Sequence, residues 1–270
     1  STMVGITTNP SEPLGPSSRR TPIAISEIMY KPASRGDGRN LEFVELFNSN
    51  PWFHDLSGYR LDGDIQFTFP ANTIIPAGGF VVVAAVPTDL QLAYGLSRVF
   101  GPYTNRFKTT GVVQLKDEAG ALLLEVGYSD SAPWPMGADG SGHSIVLARP
   151  TYGEANPLAW DRSDAVGGSP GTFDPFRPGA LRNVMLNEVL AHTDPPAFDA
   201  IELYNHSGVD VNLSGCTLSD DPGLNKFAFP TNTVIPARGF LHFTEPQLGF
   251  ALSAAGETIY FKNPDGSRVL

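Results

Sequence analysis

Apolar residues occur along this 270-residue chain in short runs that proline, glycine or asparagine soon interrupts. Phe67 and Phe69 alternate with polar neighbours, as in a half-buried strand, and Pro70 stops the run. Residues 80–84 are entirely apolar and follow an Ile-Pro-Ala-Gly-Gly turn. Residues 88–98 are the one stretch that suggests a helix, and their apolar spacing is poorly periodic. The pattern predicts an all-β protein of short antiparallel strands.

The same pattern occurs twice. ISEIMY, EFVELFN, DLSGYRL and FTFPANTIIPAGGF lie between residues 25 and 80, and LNEVLAH, AIELYNH, NLSGCTL and FAFPTNTVIPARGF follow in the same order between residues 186 and 240. The spacing changes once, through an insertion around residues 222–225. Because four blocks match in register, the sequence predicts an internal duplication.

A hairpin follows each set of blocks, with a turn that ends in Gly120 or Gly266, where glycine allows a positive φ. Its strands are predicted at residues 112–116 and 121–126 in the first copy, and at residues 259–262 and 267–270 in the second. The first copy then continues to residue 147 with further apolar stretches that have no counterpart in the second. The second copy is therefore predicted to lack its final strands.

These blocks resemble the lamin tail domain family. The residues that carry the resemblance are 25–28, 42–48, 55–61, 69–70 and 75–80 in the first copy, and 186–189, 201–205, 213–215 and 235–237 in the second. The resemblance implies two tandem immunoglobulin-like antiparallel β-sandwiches, as in large secreted bacterial proteins. It supplies no catalytic residues, and a fold of this kind hosts many functions.

The organisation expected from these features has four parts. They are an N-terminal extension at 1–21, a first sandwich at 22–150, a Pro/Gly-rich connector at 151–182 and a second, incomplete sandwich at 183–270. Trp160, Phe173 and Phe176 make the connector too apolar for a free linker. It is therefore expected to lie on a domain surface.

The composition and net charge of the chain argue against several classes of function. The net charge of −10 argues against sequence-independent nucleic-acid binding, which needs a basic surface. No apolar run has the length of a membrane span. The single cysteine, Cys216, excludes an intramolecular disulfide and, beside Leu213 and Leu218, is expected to be a buried apolar residue. The low cysteine content and acidic, Gly/Pro-rich composition are compatible with an extracellular or cell-surface location.

Acidic residues at repeated positions are the candidate metal ligands, since clustered carboxylates bind Ca²⁺. They are Glu27, Glu45, Asp62 and Asp64 in the first copy and Glu188, Glu202, Asp220 and Asp221 in the second. The competing interpretation favours structural carboxylates that accept backbone N–H groups or pair with arginine, together with solvated turns. Calcium is the only cofactor that the sequence suggests.

The sequence contains no constellation expected of an enzyme. Ser141 and His143 are close together, but they lie in a Gly-rich stretch without a nucleophile motif. Aromatic residues offer a glycan-stacking platform as an alternative to packing at the edge of a core. The candidates are Trp52, Phe53, Tyr103, Trp134 and Trp160.

Three explanations fit the incomplete second copy: a fragment of a longer protein, a naturally reduced domain, or a strand supplied by another chain. For the third, the strand-like residues Met3, Val4, Gly5 and Ile6 could reach the second sandwich of a neighbouring molecule near Val269 and Leu270 and give head-to-tail assembly. The first functional hypothesis is a non-catalytic structural or protein-interaction module of a secreted or cell-surface bacterial protein, with other proteins or further domains of the same polypeptide as its partners. The alternative is an accessory glycan- or Ca²⁺-binding domain attached to an enzyme elsewhere.

Overall fold

A computed structural model describes residues 11–175, 179–191, 193–194, 196–266 and 269–270. The chain forms two compact units, one ending at Pro175 and the other spanning the C-terminal part. Most regular structure is β-strand, and the paired strands run antiparallel. The predicted all-β fold with two tandem sandwiches is confirmed.

Within residues 11–175 there are twelve strands and one α-helix. They are β1 Ile23–Met29, β2 Phe43–Asn48, β3 His54–Asp55, β4 Arg60–Gly63, β5 Ile65–Thr68, β6 Ile74–Ile75, β7 Phe80–Ala84, α1 Pro87–Tyr94, β8 Thr104–Asn105, β9 Gly111–Lys116, β10 Leu122–Tyr128, β11 Ile145–Leu147 and β12 Trp160–Arg162. Short 3₁₀ helices occur at Met136–Ala138, Pro150–Tyr152 and Pro157–Ala159. One sheet has the order β12-β11-β1-β2-β7, a second has the order β10-β9-β4-β5-β8, and β3 pairs with β6.

The core of the first unit contains side chains from both five-stranded sheets. Val44 and Leu46 from β2 join Leu61 from β4 and Leu115 from β9 in one buried cluster. The opposite face of β2 is buried as well, so every residue of this strand is inaccessible to solvent. Both faces of the sheet around β2 are therefore covered.

Helix α1 covers one part of that outer face. Leu90 is buried in a cluster with Phe43 and Val82. The helix is shorter than the predicted residues 88–98, because Gly95 adopts a left-handed conformation with φ 69° and ends it. Among the described residues, none of the helices is long and apolar enough to cross a membrane.

Residues 151–175 lie within the first unit, although the sequence assigned them to a connector. β12 extends the first sheet by pairing with β11, and Trp160 is buried. Phe173 packs against Phe47 and Phe80, with ring centroids 5.6 and 5.0 Å apart. This segment therefore adds an edge strand to the first sheet and places Phe173 against rings of β2 and β7.

The second unit repeats the central part of this architecture. Its described elements are a 3₁₀ helix Ala180–Asn183, β13 Val184–Leu190, β14 Ala200–Asn205, β15 Val211–Asn212, β16 Thr217–Ser219, β17 Phe227–Ala228, β18 Val234–Ile235, β19 Phe240–Thr244, α2 Glu245–Leu248 and β20 Tyr260–Lys262. The orders β13-β14-β19 and β17-β16-β20, with the pair β15-β18, reproduce β1-β2-β7, β5-β4-β9 and β3-β6. Cys216 is buried in the core, as predicted.

One buried amide holds the same loops in both units. The Nδ2 atom of Asn48 donates to the carbonyl oxygens of Trp52 at 2.8 Å, Ile75 at 3.3 Å and Pro76 at 3.0 Å. Asn205 makes the matching bonds to the carbonyls of Val209, Ile235 and Pro236 at 2.7, 3.3 and 3.0 Å. A single side chain thus ties the end of β2 or β14 to two following loops.

Replacing either asparagine with alanine should destabilise its unit by roughly 2 kcal/mol, because buried carbonyls lose their donors. Each unit has its own reporter: the three tryptophans lie in the first unit and the single cysteine in the second. Asn48→Ala should lower the urea midpoint followed by tryptophan fluorescence, and Asn205→Ala should accelerate thiol labelling of Cys216. Unchanged reporters would show that the amide bonds contribute little.

Candidate functional site

Two carboxylates of the first unit lie side by side on neighbouring strands. Glu27 on β1 and Glu45 on β2 are register partners next to an irregularity in the strand pairing. Each is only 1% exposed. Both sequence-predicted residues are therefore brought together, at a place where ionised groups are costly unless donors surround them.

Donors from the chain itself surround this acidic pair. The backbone N–H and hydroxyl of Ser169 donate to Glu27 over 2.9 and 3.0 Å, and the Ser144 hydroxyl also donates to Glu27. The Ser26 hydroxyl and the Gly171 N–H donate to Glu45 over 2.7 and 2.5 Å. These contacts match the structural interpretation of the pair and fasten residues 169–171 to the sheet.

Burial dominates the electrostatics of this pair. Desolvation raises the pKa of Glu27 from its ordinary value of 4.5 to about 7, although the hydroxyl and N–H donors oppose the shift. Desolvation, reinforced by the charge of Glu27, raises the pKa of Glu45 well above its ordinary value. The pair therefore holds protons at a pH where exposed carboxylates have lost them.

The equivalent pair of the second unit has a different environment. Glu188 on β13 and Glu202 on β14 are again register partners. Glu188 is exposed and Glu202 half-buried. The Asn187 amide donates to Glu202 over 2.7 Å, at the position that Ser26 occupies in the first unit. Both copies therefore have the two glutamates at the same strand positions, but the glutamates of the second copy are less buried.

The four candidate aspartates have partners of their own. Lys116 donates to Asp62 over 2.6 Å, and this bond lowers the pKa of the half-buried Asp62 carboxyl. Buried Asp64 accepts a bond of 2.8 Å from the Tyr128 hydroxyl and lies 3.0 Å from the Lys108 ammonium. In the second unit, Asp220 pairs with Lys226 over 2.6 Å, and Asp221 accepts from the Gly223 N–H over 2.7 Å.

No group of three or more His, Cys, Asp or Glu side chains is close enough to hold a metal ion within the residues that the structure describes. The Ser141–His143 stretch does not form a nucleophile–base arrangement either. The Ser141 hydroxyl donates to the Gly137 carbonyl, and the buried His143 ring bonds the Ser163 carbonyl over 2.7 Å. These side chains stabilise loops.

The aromatic candidates divide into buried and exposed residues. Trp134, Trp160 and Tyr103 are buried, so they do not form part of a surface platform. Trp52 and Phe53 are 62% and 64% exposed on the loop between β2 and β3. Only this adjacent pair among the five candidates is available for stacking.

The proposed partner-binding residues fall into two groups. Met3, Val4, Gly5 and Ile6 lie outside the described residues. Val269 forms a bridge to Lys262, and the Leu270 N–H donates to the Phe261 carbonyl over 2.8 Å. These last residues therefore continue the sheet of the second unit beside β20.

A family model described as Lamin Tail Domain matches residues 16–130 and, a second time, residues 177–270. The chain belongs to the lamin tail domain family. Each lamin tail domain is an immunoglobulin-like fold, and the family is non-catalytic, so neither the family nor the site geometry assigns a reaction. The predicted resemblance and its tandem arrangement are confirmed. No curated protein sequence matches the chain significantly.

Solved structures give only distant matches to this pair of lamin tail domains. The crystal structure of the Amycolatopsis orientalis exo-chitosanase CsxA is 11% identical over 83% of this chain and 24% of that chain, with a TM-score of 0.20. A structure of the exo-β-D-glucosaminidase CsxA with a glucosamine-configured inhibitor is 11% identical over 86% of this chain and 25% of that chain, also with a TM-score of 0.20. The chain spans about a quarter of the length of these enzymes, and likeness at this level carries no argument about function.

Proposed function

We propose that this chain is a non-catalytic structural and protein-interaction module of a secreted or cell-surface bacterial protein, and that its second domain accepts a β-strand from a partner. One comparison carries the proposal. β1 pairs with both β2 and β11, whereas among the described residues its equivalent β13 pairs with β14 alone. A strand edge offers backbone groups to an added strand, which is a common mode of protein recognition.

The chemistry of the carboxylates supports an interaction module rather than an enzyme. Glu27 and Glu45 accept bonds from the domain's own loop, so neither carboxylate of this pair is left free to act as a base on a substrate. The repeated positions build the sandwich in both copies. Function is therefore expected where the two copies differ, at the β13 edge.

Hydrogen exchange of the full chain tests strand addition. A peptide of residues 143–162, which supplies β11 and β12, should slow amide exchange in residues 184–190 in a saturable manner. The same peptide with Val146→Pro should have little effect, since proline removes a ladder donor. Unchanged exchange at saturating peptide would contradict the proposed edge.

Head-to-tail self-assembly through Met3–Ile6 is the specific form of this interaction that the N-terminal sequence suggests. In that case, sedimentation velocity should show larger species for the full chain than for a chain lacking residues 1–10. An unchanged size distribution would eliminate the N-terminal segment as the donor.

An accessory glycan- or calcium-binding role is the second candidate, and the exposed Trp52–Phe53 pair favours it. A glycan array with the full chain should then show binding that Trp52→Ala abolishes. Calcium binding by the carboxylates is tested by thermal melts, in which the melting temperature should be higher with Ca²⁺ than with EDTA. Equal melting temperatures would argue against a structural cation.

A further inference from the structure

In the first domain, one short segment covers part of the outer face of the β1-β2-β7 sheet. It is the Ser-Pro-Gly-Thr-Phe segment, residues 169–173. Its first half acts through hydrogen bonds, because Ser169 donates to Glu27 and the Gly171 N–H donates to Glu45. The uncharged N–H and hydroxyl donors of this segment therefore hydrogen-bond to both carboxyl groups.

The second half of the segment acts through an aromatic contact. Phe173 meets Phe47 and Phe80 edge-on, with interplanar angles of 62° and 81°. Phe47 lies two residues after Glu45 on β2, and residues two apart on a strand share a face. Hydrogen bonds and ring contact therefore lie on one surface.

The second domain presents the same surface in a more open form. Glu188 and Glu202 replace the two glutamates, and Tyr204 stacks on Phe240 with ring centroids 4.6 Å apart. Phe240 is 51% exposed, whereas its counterpart Phe80 is half-buried beside Phe173. We call the surface formed by Glu188, Glu202, Tyr204 and Phe240 the acidic–aromatic face.

We propose that the acidic–aromatic face binds a partner polypeptide carrying a Ser-Pro-Gly-x-Phe segment. The serine N–H and hydroxyl and the glycine N–H donate to Glu188 and Glu202, while the phenylalanine ring packs on Tyr204 and Phe240. The hydrogen-bond complementarity is that of the first domain, where the same donors bind the same two carboxylate positions. This inference rests on the proposed interaction function and names the chemistry of the partner.

Two labelled peptides separate this recognition from simple strand addition. The first covers residues 143–162 and carries only β11 and β12, and the second covers residues 143–175 and adds the Ser-Pro-Gly-Thr-Phe segment. Fluorescence anisotropy with the full chain should show at least tenfold tighter binding of the longer peptide. Phe173→Ala in that peptide should remove most of the gain.

Variants of the full chain show which of its residues are responsible for the tighter binding of the longer peptide. Glu202→Gln and Phe240→Ala should each weaken the longer peptide several-fold and leave the shorter one unchanged. Val209→Ala is the matched control, because Val209 is an exposed apolar residue of the same domain. It lies on the loop between β14 and β15, outside the acidic–aromatic face. Unaltered thiol labelling of Cys216 verifies that each variant is folded.

The outcomes distinguish the two proposals. If both peptides bind with equal affinity, strand addition stands and the Ser-Pro-Gly-x-Phe inference is overturned. If neither binds, both proposals fail. A gain that survives Glu202→Gln and Phe240→Ala would place the segment elsewhere and would also overturn the inference.

Discussion

The first lamin tail domain should lose stability as the pH rises from about 4.5 to 7, the opposite of the trend for most paired carboxylates. Burial raises the pKa of Glu27 to about 7, above the 4.5 of an unperturbed glutamate. Between these values the folded domain binds more protons than the unfolded chain, so the free energy of unfolding falls as the pH increases. The contribution of Glu27 is complete below pH 4.5 and lost above pH 7.

The expected magnitude follows from the size of the pKa difference and corresponds to about 3 kcal/mol for Glu27. Glu45 acts in the same direction, because its pKa is also raised by burial. Urea denaturation followed by tryptophan fluorescence measures the effect, since Trp134 and Trp160 are buried in this domain. The midpoint should be higher at pH 5 than at pH 8.

Glu27→Gln isolates this contribution, because the amide remains uncharged at both pH values. The variant should lose most of the difference in unfolding free energy between pH 5 and pH 8. Glu202→Gln, at the equivalent position of Glu45 in the second domain, should leave the tryptophan-detected difference intact. Parallel pH profiles for Glu27→Gln and the unchanged chain would assign the dependence to other groups.

The duplicated fold could be predicted from the sequence because its signals are local. Short runs that end at Pro70 or Pro230, and the turns at Gly120 and Gly266, mark strands in both copies. The strands at β9 and β10 agree with the predicted hairpin. Lys116 and Lys262, aligned by their turns, occupy equivalent register positions beside β4 and β16.

The cover of the acidic pair could not be predicted in the same way. The covering segment, Gly-Gly-Ser-Pro-Gly, has the composition of a free loop. Its hydrogen bonds to Glu27 and Glu45 join residues more than a hundred positions apart, so no local pattern indicates them. A strand pattern shows which positions face outward and does not show what lies on them. The same applies to Asn48, whose carbonyl partners come from two separate loops.

The repeated glutamates illustrate this limit on the chemistry of a site. Sequence comparison treats Glu27 and Glu188 as equivalent, and their strand register is the same. Their burial is opposite, because Ser144 and Ser169 cover only the first. The protonation of a carboxylate depends on that cover, so it cannot be read from the motif alone.

Gly168→Ala should destabilise the first domain by about 2–5 kcal/mol, because it combines backbone strain with a clash against a buried carboxylate. Gly168 has φ +79°, a left-handed conformation that costs about 1–2 kcal/mol for an L-residue. A β-carbon there would also overlap the Glu27 carboxylate and lie 3.1 Å from the Ser144 hydroxyl. Breaking the bonds of a buried carboxylate adds about 1–3 kcal/mol.

Gly78→Ala provides the matched control. Gly78 has φ +60°, and an added β-carbon would meet no atom within 4 Å. It should therefore show only the backbone cost. Equal losses for the two variants in tryptophan-detected urea denaturation would mean that the contact with Glu27 is unimportant.

The pH profile adds a second readout to this comparison. If Gly168→Ala displaces residues 169–171, water reaches Glu27 and its pKa returns toward 4.5, so the difference in stability between pH 5 and pH 8 should shrink. Gly78→Ala should retain that difference, since the acidic pair stays covered. A destabilised Gly168→Ala domain with an unchanged pH profile would show that strain, rather than loss of the cover over the carboxylates, is responsible.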